Sequence, residues 1–194
     1  MPRKNTRNTR GRIISAAWKL FYEQGYEETT VEDIVFESET SKGSFYHYFD
    51  GKDALLSTLS SLFDEKYEEL TGLLTPEMTA MEQLLFLNRE LFHMIEDSIS
   101  LDLLARLYST QLTTNGEKHL LDHNRIYYKL LRKIIAKGQS EGQLSSRSNV
   151  NEMVKLYALC ERALLYDWCL CAGEYALTEY SAKVLPGFLS SFLP

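Results

Sequence analysis

Residues 30–53 read Thr-Val-Glu-Asp-Ile-Val-Phe-Glu-Ser-Glu-Thr-Ser-Lys-Gly-Ser-Phe-Tyr-His-Tyr-Phe-Asp-Gly-Lys-Asp, a spacing that fits two very short helices joined by a tight polar turn. Thr30 is a good N-cap, and Asp33 three residues later gives a capping-box-like start. Val31, Ile34 and Val35 then form one apolar stripe at helical spacing. Ser38-Glu39-Thr40-Ser41 breaks that stripe with side chains that favour turns and caps. A second short helix follows, from Thr40 or Ser41 to Tyr46, with Phe45 and Phe49 as anchors. Its outward chemistry suits a DNA surface. The Thr40 and Ser41 hydroxyls at a helix N-terminus match phosphate oxygens. Lys42 can neutralise a phosphate or reach a guanine edge. Gly43 lets backbone approach a duplex, and Tyr46, His47 and Tyr48 offer flat rings with polar tips. Thr30, Ser44 and Lys52 complete the candidate DNA-contacting set.

Ser41-Lys42-Gly43-Ser44-Phe45-Tyr46-His47-Tyr48-Phe49, followed by Lys52-Asp53-Ala54-Leu55-Leu56, resembles the DNA-binding signature of the TetR family of transcriptional regulators. Upstream, Ala16-Ala17-Trp18-Lys19-Leu20-Phe21, Gly25-Tyr26 and Thr29-Thr30-Val31 are similar to that family's first helix and its exit. The likeness covers roughly residues 9 to 56, and spacing, aromatics and lysines agree across three helices. Glu39 stands in the turn where many members have Gly. The resemblance implies an all-α chain. Its N-terminal arm and helix-turn-helix domain would span residues 1–52, and a helical effector-binding and dimerisation domain residues 53–194, about nine helices in all.

The 194 residues carry a formal net charge of -6, which looks wrong for a DNA partner until the charge is located. Arg3, Lys4, Arg7, Arg10 and Arg12 make a basic start with no acidic residue before Glu23, so positive charge gathers beside the reading helix. The same stretch also reads as a solubilising tail over residues 1–8. Cys160, Cys169 and Cys171 are an odd set without metal-ligand spacing, which points to a reducing compartment. No apolar leader and no run of about eighteen apolar residues is visible. A cytoplasmic protein with no membrane partner is the expectation.

Beyond the helix-turn-helix, the periodicity predicts a fourth helix from Lys52 to about Leu70 or Leu74, spanning head and body as a lever. A fifth is expected from Pro76 to Asp97, a sixth from Ser100 to Leu112 that is apolar nearly all round, and a seventh from Glu117 to Lys137. Asn149 to Ala172 carries two apolar stripes. Val150, Val154, Tyr157, Leu164 and Trp168 form one, and Leu156, Leu159, Ala163, Tyr166 and Leu170 the other, which implies burial on two faces. Thr178 to Leu193 repeats the theme, with Pro186-Gly187 expected to kink or interrupt it. The resemblance implies that the last two helices pair with a second copy as a four-helix bundle. A symmetric dimer also suits a pseudopalindromic operator in double-stranded DNA, whose half-sites lie ~34 Å apart.

His119 and His123, four apart on the expected seventh helix, admit a metal site, but a solvated helix face is the favoured reading and no metal is assigned. Glu161 falls on an apolar stripe, where a carboxylate needs a partner. An arginine such as Arg106 or Arg125, exposure at the edge, and a cationic ligand are the alternatives in that order. No nucleophile elbow, phosphate loop or acid/base pair is present, so no catalytic residue and no cofactor is assigned and an enzyme is not expected. The resemblance implies a small-molecule effector in the C-terminal domain, with Phe63, Phe86, Met94, Leu107, Tyr108, Tyr128, Tyr157, Glu161 and Trp168 as candidate walls. Those side chains suit an apolar or aromatic compound, cationic ones included. The expected function is a ligand-responsive repressor. The alternative is a DNA-binding adaptor whose C-terminal domain holds a protein.

Overall fold

The computed structural model describes residues 9–113 and 118–194, and every regular element in them is helical, as expected. Arg3, Lys4 and Arg7 of the basic arm lie outside the described residues. The head consists of α1 (Thr9–Glu23), α2 (Val31–Glu37) and α3 (Lys42–Tyr48), which bury Ile13, Ala17, Phe21, Ile34 and Phe45 against one another. The Thr30 capping box is present. Its Oγ1 accepts from the Asp33 N–H at 3.1 Å, and the Asp33 carboxylate accepts from the Thr30 N–H at 2.9 Å. Glu39, in the turn, holds φ at +48°, a left-handed conformation that costs a residue with a Cβ about 1 kcal/mol. Arg12 braces that turn from α1 by donating to the Ser38 and Glu39 carbonyls and pairing with the Glu39 carboxylate at 3.3 Å.

The helix expected to run from Lys52 to Leu70 is two helices, α4 (Lys52–Leu56) and α5 (Leu59–Thr71). The Ser57 and Thr58 hydroxyls donate back to the Ala54 and Leu55 carbonyls at 2.7 and 2.6 Å. Such back-bonding competes with the helix ladder, and the backbone here tightens to a three-residue turn. Thr58 Oγ1 also accepts from the Trp18 indole at 2.9 Å, so the break coincides with the joint between head and body.

The body comprises α5, α6 (Ala80–Ser98), α7 (Leu101–Thr113), α8 (Ile126–Ser140), α9 (Val150–Leu170) and α10 (Leu177–Leu189). Helix α6 begins at Ala80, four residues later than Pro76 suggests, because Thr79 and Glu82 form a second capping box. Helix α7 is one-sided. It buries Leu103, Leu104 and Leu107 while Leu112 stands in solvent, so its apolar residues outnumber its buried ones. Helix α8 begins at Ile126, after a short 3₁₀ turn over His119–Leu121 and an Asp122 side chain that accepts from the Asn124 N–H at 2.9 Å. His119 and His123 are therefore not one helical turn apart, and the geometry behind a metal site is lost. Pro186 lies inside α10 on its exposed side, and the helix runs through it without interruption.

Helix α9 buries Val154, Tyr157, Leu164 and Trp168, but its other stripe is open in a single chain: Leu159 is 52% and Leu170 67% exposed. Glu96 of α6 caps α10 by accepting from the Leu177 N–H and from the Thr178 N–H and hydroxyl.

Gly138 marks the crossing of α8 with α6. A Cβ built there would stand 2.6 Å from the Ala80 Cβ and 2.9 Å from Leu144 Cδ1. Helix propensity alone favours Ala over Gly by about 1 kcal/mol. Overpacking outweighs it, so Gly138→Ala should destabilise the protein by about 1–3 kcal/mol. The check is a lower urea midpoint at an unchanged m value.

Candidate nucleic-acid interface and effector cavity

Helix α3 is anchored by Phe45 and by Phe49 just past its end, both buried, which turns the other side of the helix outward. Ser41, Lys42, Gly43, Tyr46, His47 and Tyr48 share that exposed surface, with Ser44 half-buried beside them. Tyr46, 49% exposed, rests edge-on against Phe45 at 5.3 Å, and His47 packs against Tyr48 at 4.7 Å. Ser41 caps the helix by accepting from the Ser44 N–H at 3.0 Å. A Cβ on Gly43 would meet only Ser41 Oγ, at 3.9 Å, so nothing inside the protein requires glycine there. Lys42 pairs with Glu32, which holds its pKa above the usual lysine value. Both groups are solvent-exposed, so the pair is weak and readily exchanged for a phosphate.

Three of the sequence candidates serve the head itself. The Thr30 hydroxyl donates to Asp33 at 2.6 Å. The Thr40 hydroxyl lies 2.8 Å from that of Ser38. The Lys52 ammonium donates to the Tyr26 and Glu27 carbonyls at 2.6 and 3.3 Å and sits 4.2 Å from the Tyr26 ring centre.

The body holds a cavity of about 50 Å³ lined by Phe63, Tyr67, Leu91, Tyr108, Leu120, Arg125, Tyr127, Glu161, Arg162 and Leu165. Of the residues expected at an effector site, Phe63, Tyr108 and Glu161 line it. The other six do not. Leu107 and Tyr157 are packed in the core, and the Tyr157 hydroxyl donates to the Leu84 carbonyl at 2.8 Å. Tyr128 donates to the Leu120 carbonyl at 2.9 Å, and the Trp168 indole to the Tyr175 carbonyl at 2.9 Å. Phe86 stacks under Arg89 outside the cavity, and Met94 packs half-buried on the core. Tyr67, Arg125, Tyr127 and Arg162 were missed. Tyr67, Tyr127 and Arg162 lie on helices whose apolar stripes read as ordinary core, Arg125 caps the start of α8, and only the packing of α5, α8 and α9 brings them together.

Glu161 is 4% exposed, and no arginine pairs with it. Arg125 is taken by Asp64 at 3.0 Å, and Arg106 by Asp102 and Glu27. The first alternative for Glu161 is thereby overturned, and so is exposure at an edge. The carboxyl instead accepts from Asn88 Nδ2 at 2.9 Å and from the Tyr127 hydroxyl at 2.6 Å. Burial pushes its pKa above the ordinary carboxylate value, and the two donors oppose that shift. Burial also pushes the Cys160 and Cys169 thiols up to about 11, which leaves them protonated and inert.

Residues 13–59 match the sequence profile described as bacterial regulatory proteins, tetR family. This N-terminal head is similar to that of TetR-family regulators. It is 43% identical over 58 residues to an HTH-type transcriptional regulator of Lactococcus lactis, a stretch covering 29% of this chain and 30% of that protein. The matched stretch spans a third or less of the length of this relative and of two other curated regulators it resembles. Across the whole chain, the likeness is to solved TetR-family structures. FadR of Thermus thermophilus, a transcriptional repressor solved with lauroyl-CoA, superimposes with a TM-score of 0.75 at 26% identity, covering 95% of each chain. FadR of Bacillus subtilis, solved with stearoyl-CoA, gives 0.71 at 21% identity, covering 94% of this chain and 99% of that one, a likeness of fold.

Because the folded state holds the Glu161 proton more tightly than the unfolded chain, its contribution to stability is full below the unfolded pKa of about 4.3. That contribution is lost as pH rises through the folded value. Glu161→Gln removes the titration. The stability of the variant relative to wild type, from urea unfolding, should therefore climb with pH from the acid side toward neutrality. A difference that stays flat with pH would contradict the assignment.

Proposed function

We propose that the chain is a sequence-specific DNA-binding transcriptional regulator, a cytoplasmic homodimeric repressor released from its operator by a small apolar ligand. The exposed face of α3 carries this reading. A helix with no internal need for Gly43 presents Ser41, Lys42, Tyr46, His47 and Tyr48 outward, on a helix-turn-helix that matches the TetR profile. The head, residues 1–52, reads the duplex, and residues 53–194 hold the effector and the partner.

Dimerisation through α9 and α10 is supported by one continuous apolar surface. Leu159, Tyr166 and Leu170 of α9 and Tyr180 of α10 are exposed in the single chain, with Val184 and Phe188 half-buried beside them. Such a face fits a symmetric four-helix bundle, and a two-fold dimer matches a pseudopalindromic operator. No helix among the described residues is long and apolar enough to cross a membrane.

An effector in the cavity between α5, α7, α8 and α9 is supported by its mostly apolar walls and by the acyl-CoA complexes of the two FadR proteins. A volume of about 50 Å³ is far below the ~300–1,000 Å³ of ordinary ligand sites, so binding has to part the walls. Tyr108 of α7 lines the cavity. Two residues before it, Arg106 pairs with Glu27 and lies 4.9 Å from the Tyr26 ring centre in the head. Movement of α7 and of the Thr58 joint would alter the spacing of the two heads, and the ligand acts by preferring that altered state.

Fluorescence anisotropy on a library-selected duplex tests the reading head. Wild type should bind a pseudopalindrome with an affinity that falls steeply with salt. Lys42→Ala and Tyr46→Ala should each weaken binding about tenfold, with Lys42→Ala, which removes one phosphate contact from each subunit of the dimer, lowering the salt slope by about two. Variants that bind as tightly as wild type would refute the assignment. In sedimentation velocity, Leu159→Glu should shift the protein from dimer to monomer and weaken operator binding in parallel. A variant that stays dimeric would place the interface elsewhere.

A further inference from the structure

The effector cavity offers more hydrogen-bond donors than acceptors. Both Glu161 oxygens are in use, Oε1 taking Asn88 and Oε2 taking Tyr127. The Arg125 guanidinium is in use as well. It grips Asp64 with two hydrogen bonds of 3.0 Å and donates to the Ser60 carbonyl at 2.8 Å. Among the donors left on the cavity wall, two stand out. The Tyr67 hydroxyl is buried, yet it has no hydrogen-bond partner among the described residues. The Arg162 guanidinium carries five N–H groups and has one contact, to the Tyr128 hydroxyl at 3.2 Å. No carboxylate of the described residues pairs with it.

An unpartnered buried hydroxyl costs about 1–3 kcal/mol, and a half-buried guanidinium with no carboxylate hydrogen-bonded to it among the described residues favours an anion that reaches it. Both groups are satisfied by ligand oxygens that accept hydrogen bonds and carry negative charge. A carboxylate matches the planar guanidinium fork two bonds at a time. A quaternary ammonium has no N–H to donate and is repelled by the Arg162 charge. The cationic effector admitted by the sequence is therefore disfavoured.

We propose that the effector is an apolar monocarboxylic acid whose carboxylate is taken by Arg162 and the Tyr67 hydroxyl, with its hydrocarbon part against Phe63, Leu91, Leu120 and Leu165. This rests on the ligand-responsive reading above and names the ligand class of that same site. About 50 Å³ accommodates the head group, and the hydrocarbon part enters by parting the α5, α7 and α9 side chains. Recognition of the acid and opening of the body are then one event.

The test uses full-length protein with dodecanoate, methyl dodecanoate, dodecanoyl-CoA and dodecyltrimethylammonium below their micellar concentrations. Binding is read by calorimetry and operator release by anisotropy. The acid is expected to bind and release DNA. The ester and the thioester should be about tenfold weaker or worse, and the ammonium inactive. Arg162→Gln should abolish the preference for acid over ester. Tyr67→Phe separates recognition from structure, because it removes the unpaired hydroxyl. The apo protein should then melt at the same temperature or higher while acid affinity falls about tenfold. A hydroxyl with a purely structural role would lower the melting temperature and spare the affinity.

Ester, thioester or ammonium binding as tight as the acid overturns the proposal, as does unchanged acid affinity in both variants. Silence of all four probes while wild type still holds its operator overturns it too, and leaves the DNA-binding reading intact. Absence of operator binding by wild type refutes that earlier reading instead.

Discussion

A carboxyl group withdrawn from water must be met by donors already in place, and Glu161 is where this chain meets that demand. Asn88 of α6 and Tyr127 of α8 donate to it, while Asn88 in turn accepts from Ser181 of α10. One buried polar network thus ties together α6, α8, α9 and α10. Apolar burial has no direction of its own and sets register only through the fit of side-chain shapes. The network does have direction, since each group left without its partner costs about 1–3 kcal/mol. Glu161 and Tyr127 also form part of the cavity wall, so the element that sets helix register is the one a ligand would press on.

The head meets the body at Thr58 and around Tyr26. Thr58 sits between two helices and accepts from Trp18 of the head. The Tyr26 ring lies against the Lys52 ammonium at 4.2 Å and the Arg106 guanidinium at 4.9 Å. Arg106 belongs to α7 and Lys52 to α4, so the short loop after α1 feels both helices at once. A continuous rod from Lys52 to Leu70 would have swung as one piece. The break at Ser57 and Thr58 divides it into two helices, and Arg106 of α7 makes a second contact with the head.

Much of this was legible in the chain. The Thr30 capping box, the short reading helix and the buried Phe45 follow from spacings of three and four residues, and local chemistry decides them. The second apolar stripe of α9 is exposed in the single chain, so the burial expected of it needs a partner. The errors share one cause. Leu55 to Leu70 keeps a helical period across Ser57 and Thr58, and periodicity does not register hydroxyls that bond back to the helix. His119 and His123 keep helical spacing across a stretch whose backbone turns at Asp122. Arg106 and Arg125 were reasonable partners for Glu161 on charge alone, but the fold brings each to a different acid.

The amino-acid sequence by itself determined the all-helical class, the helix-turn-helix and the outward chemistry of α3. These depend on contacts within a few residues, where side-chain order along the chain is also order in space. Tertiary structure alone decided which polar groups pair inside the body. Tyr67, Arg125, Tyr127 and Arg162 come from three helices far apart in the chain, and nothing local distinguishes them from core or surface residues. Their meeting point, and the donors it leaves without acceptors, arise only when α5, α8 and α9 close around a common centre.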